Sequence, residues 1–171
     1  MENKAFQDQI PDNFCYGCGP SNEQGLRIKS FWDGDESLST FMPHAYHTAG
    51  PKQILNGGII ATLVDCHCLC TAIADSYRRE NRSIGTSPQI WCATASLKID
   101  YLLPVPLDRP VTLRARVVEA GPKKTKLFCS VFSEGQECAR GEVLAVRVPP
   151  IWRASRVMPE YHAGDHWPRT K

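Results

Sequence analysis

The sequence predicts an α+β domain in which one long helix is wrapped by an antiparallel sheet of about six strands. Three observations predict it. From Gly58 to Arg79 there is no proline and no further glycine, and apolar residues recur at helical spacing. Beyond that stretch, four segments alternate apolar and polar residues between short turns. Before it lie two shorter segments of strand character joined by a glycine turn.

The elements follow in chain order. Residues 1–13 read as a mobile or loosely docked arm, and Cys15-Tyr16-Gly17-Cys18-Gly19-Pro20 as a tight glycine-rich turn. Leu26 to Phe31 alternates and reads as a half-buried strand, Asp33-Gly34-Asp35 as a hairpin turn, and Leu38 to Met42 as the partner strand. Residues 43–55 form a loop. In the helix, Ile59, Leu63, Cys66, Cys70 and Ile73, with Ile60, Val64 and Ala74, make a broad apolar face, and Tyr77 to Glu80 bring it into solvent. After a loop at 81–90, Ala93 to Leu103 is the next strand. Its Ala95, Leu97, Ile99 and Tyr101 face one way, and Thr94, Ser96, Lys98 and Asp100 the other. Strands over Val111–Val118, Lys126–Ser133 and Cys138–Val148 complete a meander, with a turn at Gly121–Lys124. The domain is expected to span 14–148, and residues 149–171 to be an extended or disordered tail.

Composition bounds the function. A chain of 171 residues with 42% hydrophobic content builds one core. A net charge of +2 is too small and too dispersed for a nucleic-acid partner, and Lys123, Lys124 and Lys126 read as a solvated hairpin tip. No apolar run is expected to reach the ~20 residues that span a bilayer, and the polar N-terminus lacks a signal-peptide layout. The expectation is therefore no membrane partner and a cytoplasmic location, where the eight cysteines are mostly unbridged.

The chemistry gathers at Asn56 to Asp65. Gly57 and Gly58 open the helix, where unpaired N–H groups and the positive end of the macrodipole lie, and the missing Cβ atoms let a carbonyl approach. That suits an oxyanion hole, although two glycines also simply make a turn. Asp65 lies mid-helix in an apolar stretch, about two turns on and on a similar side. Such a carboxylate either faces a cleft, where it can activate water or attack directly, or pairs with a lysine or a neighbouring loop.

The segment Asn56-Gly57-Gly58-Ile59-Ile60-Ala61-Thr62-Leu63-Val64-Asp65 resembles the His-Gly-Gly…Asp segment of hotdog-fold acyl-CoA thioesterases of the phenylacetate-pathway type. Cys15-x-x-Cys18-Gly19-Pro20-x-Asn22-x-x-Gly25-Leu26 is similar to a lead-in of the same family. The resemblance implies the hotdog fold and hydrolysis of an acyl-CoA thioester to free acid and CoA. It implies that the Gly57 and Gly58 N–H groups polarise the carbonyl, and that Asp65 is the nucleophile or general base. It implies a helper hydroxyl on the following strand, often from the partner subunit, which aligns with Thr94. It also implies a homodimer or tetramer with the active site at the subunit interface. Asn56 replaces the family's histidine; an amide can hydrogen-bond a carbonyl or fix the loop but cannot shuttle a proton. Gln53 is the candidate for the family's additional amide. Trp91, with Ile90 and Cys92, is expected to shape the acyl pocket, and Arg78, Arg79, Arg82 and Lys98 are candidates for the CoA phosphates. Neither cofactor nor metal is expected.

The cysteines need their own reading. Cys66 and Cys70 share one helix face while His67 and Cys68 point elsewhere, so the Cys66–Cys70 run cannot form a zinc site by itself and reads as core packing. Cys15 and Cys18 are a structural turn, a redox pair or half of a zinc site, whose two further ligands would come from His44 and His47 or from the second subunit; the structural turn is the expectation. Two alternative functions follow: a catalytically inactive hotdog acyl-CoA binder, and a zinc-dependent binding module built on Cys15 and Cys18.

Overall fold

In the computed structural model, residues 4–10 and 12–149 are described; residues 150–171 of the tail expected at 149–171, and residues 1–3 and 11 of the expected arm, lie outside them. Asn56 fixes the start of the helix. Its backbone is extended (φ −60°, ψ 133°) and its side-chain oxygen accepts the Gly58 N–H at 2.7 Å, so α1 runs Gly57–Arg79. The helix ends where Asn81 takes a left-handed conformation (φ +52°). There the N–H groups of Asn81 and Arg82 donate back to the carbonyls of Arg78 and Tyr77.

The strands are β1 (Ser30–Asp33), β2 (Glu36–Phe41), β3 (Trp91–Tyr101), β4 (Val111–Ala120), β5 (Lys124–Ser133) and β6 (Gln136–Val148). They form one antiparallel six-stranded sheet in the order β1-β2-β4-β5-β6-β3. Gly34 (φ +64°) gives the β1–β2 turn its positive φ. The strand expected at Leu26 to Phe31 is displaced. Arg27 has φ +52°, and the N–H groups of Leu26 and Ile28 donate to Tyr16 and Gly17, so this segment clasps the cysteine turn and sheet pairing begins only at Ser30.

The core lies between α1 and the facing rows of the sheet: Val111, Leu113 and Ala115 of β4, Leu127, Cys129 and Val131 of β5, and Ala139, Val143 and Ala145 of β6. Against the expectation that no segment is long and apolar enough to cross a membrane, α1 passes by length and composition. Most of it is buried inside the domain, which is how a core helix comes to be so apolar. The helix packs tightly on the sheet at Gly141, where a Cβ would lie 2.3 Å from Val64 Cγ1. Gly141→Ala is expected to cost about 1–3 kcal/mol, read as a lower midpoint in urea, because helix and sheet must separate to admit a methyl group.

His67 points from α1 into the opposite part of the core. Its Nδ1 lies 2.8 Å from Ser30 Oγ and its Nε2 3.2 Å from both Ser37 Oγ and Ser37 O. Burial pushes its pKa down to about 4, so the ring is neutral and serves as one donor and one acceptor in a buried chain of hydroxyls running on to Thr71. Gln7 joins that chain through Ser30, its Nε2 donating to Ser30 Oγ and its Oε1 accepting the Ser30 N–H, both at 2.9 Å. The described part of the arm, expected to be mobile or loosely docked, packs into the core: Phe6 and Ile10 are buried, as is Gln7.

Candidate active site

At the start of α1 the two glycines are not equivalent. The Gly58 N–H is already taken by the Asn56 side chain at 2.7 Å. The Gly57 N–H has no partner among the described residues. The expectation that both N–H groups serve a ligand is therefore corrected: in this arrangement Gly57 is the available donor and Asn56 is the helix cap. Tyr101 packs over the same spot, its hydroxyl donating to Gly57 O at 2.8 Å.

Asp65 faces β3. Thr94 Oγ1 donates to Asp65 Oδ1 at 2.5 Å, within one chain, where the family resemblance often draws its helper from the partner subunit. This corrects the expected strand alternation. Thr94 pairs with Ala145 and Ser96 with Leu144, so Ala95 is an extra residue in the ladder. The bulge puts Thr94 on the helix-facing side together with Leu97 and Ile99, whose partners Val143 and Gly141 are both buried. An unbroken two-residue period turns Thr94 away from Asp65. Burial is the main influence on Asp65 and raises its pKa; the Thr94 hydroxyl pulls it back and the Cys18 sulfur adds to the rise.

The pair lies at the wall of a cavity of about 200 Å³. Asp65 and Thr94 supply carboxylate and hydroxyl. Leu69, Ile73, Ile84 and Trp91 supply apolar surface, and Phe6, Ile10 and Asn13 of the arm close the other side. Trp91, expected to shape an acyl pocket, lines this cavity. The arm is a wall that the sequence reading missed, and the Phe6–Ile10 spacing was its signal.

The remaining expected binders lie elsewhere in the chain. Gln53 sits in a separate depression with Met42, Pro43, Lys52 and Leu107. Arg82 is committed to its own loop, donating to Thr86 O and Pro88 O at 2.7 and 2.6 Å and pairing with Glu80. Arg79 pairs with Asp75, and Arg78 stacks over Trp32 at 4.0 Å. Lys98 lies on the outer sheet face between Asp100 and Glu142. His44 and His47 pack against each other, and neither joins the cysteines. Instead Cys66 meets the turn: the Sγ atoms of Cys15, Cys18 and Cys66 lie within 4.8 Å of one another.

Comparison with known proteins gives three findings. Residues 52–139 match the family model described as the thioesterase superfamily. No curated protein matches the sequence. Many solved structures share the architecture. One is a thioesterase superfamily protein from Shewanella loihica, 31% identical, covering 82% of this chain and 99% of its own, with a TM-score of 0.63. The PaaI protein of the E. coli phenylacetic acid degradation operon is 17% identical over 72% of this chain and 81% of its own, with a TM-score of 0.59. A thioesterase from Haemophilus influenzae is 16% identical over 77% of this chain and 85% of its own, with a TM-score of 0.61. At those last two identities the likeness is one of fold.

Proposed function

The chain belongs to the thioesterase superfamily and has its hotdog fold, and on that premise we propose that it hydrolyses an acyl-CoA thioester to the free acid and CoA. The observation that carries the reading is the Thr94–Asp65 pair, a part-buried carboxylate held by a hydroxyl at the edge of an apolar cavity. Asp65 takes a proton from water as the water oxygen attacks the thioester carbon. The Gly57 N–H receives the oxyanion. The tetrahedral intermediate then collapses by breaking the C–S bond, and the proton passes from Asp65 to the departing sulfur. Direct attack by the carboxylate, through an anhydride that water opens, uses the same residues. Thr94 orients the carboxylate. Trp91, Ile73 and Ile84 receive the acyl group, and the CoA portion lies outside the cavity.

One chain does not suffice for this. Gly57 and Asp65 are eight residues apart on one helix, a rise of about 12 Å, whereas one carbonyl must be within ~3 Å of both. In the two-fold dimer we propose, Gly57 of one copy meets Asp65 of the other. β3 is at the end of the sheet order, with one side unpaired among the described residues, and exposes Leu97 and Tyr101. A long edge strand of this kind pairs readily with a second copy. We assign the assembly as a homodimer, or a tetramer built from it.

The test is to incubate the purified protein with straight, branched and aromatic acyl-CoAs and detect the freed thiol. Saturable turnover of at least one class is expected. Binding without release of thiol would overturn the hydrolase reading and leave an acyl-CoA-binding hotdog protein.

A further inference from the structure

We propose that Cys15, Cys18, Cys66 and Cys70 form a mononuclear, all-thiolate Zn2+ site that ties the N-terminal segment to α1. The sulfurs of Cys15, Cys18 and Cys66 are mutually within 4.8 Å, and those of Cys15 and Cys66 are 3.5 Å apart. A tetrahedron with Zn–S bonds of about 2.3 Å has sulfurs about 3.8 Å apart, so the triad already has the size of three of its vertices. Cys70 is one turn beyond Cys66 on the same face of α1 and lines the same cavity, and a side-chain rotation there brings its sulfur to the fourth vertex beside the Cys15–Cys18–Cys66 group. The ligand set is then a C-x-x-C turn plus an i, i+4 helical pair. The first is a common half of structural zinc sites, and the second gives the other half a fixed direction. The spacing is too tight for a polynuclear cluster, whose ligands spread around several metal atoms.

The turn is built to bring these sulfurs together. Asn13 Oδ1 accepts the Cys15 N–H at 3.0 Å, and the Gly19 N–H donates to Cys15 O at 2.8 Å. A Cβ on Gly17 would lie 2.3 Å from Cys66 Sγ, so only glycine lets the turn sit on the helix. Asn13 Nδ2 also donates to Cys18 Sγ at 3.6 Å, the outer-shell hydrogen bond that holds a ligating thiolate in place. Core packing alone does not account for this arrangement, because Cys15 is exposed while it touches buried Cys66. Cys68 and Cys129, in contrast, are wholly buried in the core cluster as small hydrophobes.

The placement gives the site a structural role. All four cysteines border the cavity beside Asp65 and Thr94, so the metal would hold the arm that forms the cavity's second wall. With every vertex filled by protein, the ion stabilises and does not activate water.

The experiment is independent of thioester hydrolysis. Full-length protein purified without chelator is analysed for metals, then stripped and titrated with Co2+. One Zn2+ per chain is expected, with thiolate-to-cobalt charge transfer and tetrahedral visible bands in the cobalt form. Cys18→Ser is expected to lose the stoichiometric metal, and Cys92→Ser, outside the cluster, to keep it. No stoichiometric metal together with no cobalt spectrum in the native chain would overturn the proposal and leave four packed thiols. A Cys15–Cys66 disulfide in a non-reducing peptide map of freshly purified protein would overturn it in favour of a redox pair. A protein that holds its zinc yet cleaves no acyl-CoA would contradict the hydrolase reading alone.

Discussion

Asp65→Asn is expected to lower kcat on the best acyl-CoA by ~10²–10⁴-fold while leaving KM within the native range. The substitution keeps the shape of the side chain, and Thr94 Oγ1, 2.5 Å from Oδ1 in the native chain, still finds an acceptor in the amide oxygen. Only the ability to take a proton or attack a carbonyl is lost. The pH profile of the native protein gives a second readout. Burial raises the Asp65 pKa, and the group works in its charged form, so activity falls as pH drops through that raised value. The acid limb therefore lies above the range of an exposed carboxylate and is missing from the residual activity of Asp65→Asn. A variant with native kcat would remove Asp65 from the mechanism and with it the reading of the Thr94 contact.

What made Asp65 legible was its setting: a charged residue in the middle of an apolar helix needs a reason, and periodicity showed that helix to within one residue of its observed start. The glycines before it were equally readable, because helix-start chemistry is local. Three features were not. Thr94 was named, yet its direction was misread, because one extra residue at Ala95 reverses the facing of everything before it and no period-two pattern announces a bulge. Leu26 to Ile28 alternates as a strand should, but Arg27 adopts a positive φ and the backbone bonds go to the cysteine turn, a choice made by tertiary packing. The meeting of Cys15 and Cys18 with Cys66 joins residues roughly fifty positions apart, and His44 and His47 were nearer in sequence but not in space. Local rules thus found the helix and its carboxylate, while long-range contacts decided which neighbours they have.

The proposed division of the site between two copies predicts the second large effect. Gly57 is the first residue of α1, where proline is well tolerated, and Asn56 before it already has the extended backbone that proline requires of its neighbour. A Cβ at position 57 would meet the Tyr101 ring at 3.4 Å, an ordinary contact. Gly57→Pro therefore deletes one N–H and little else, and an oxyanion donor lost in this way is expected to cost ~10²–10³-fold in kcat. Each variant alone, Gly57→Pro or Asp65→Asn, is then nearly inactive. Mixed after dissociation and reassociation, equal amounts form hybrids in half of the dimers, and each hybrid has one site with both native groups. Activity is expected to return to about a quarter of the native value. The recovery cannot come from a site made within one chain, since every chain in the mixture lacks either the donor or the carboxylate. Hybrids that form, as seen by a mass tag on one variant, yet stay inactive would show that Gly57 and Asp65 of different copies do not share a substrate.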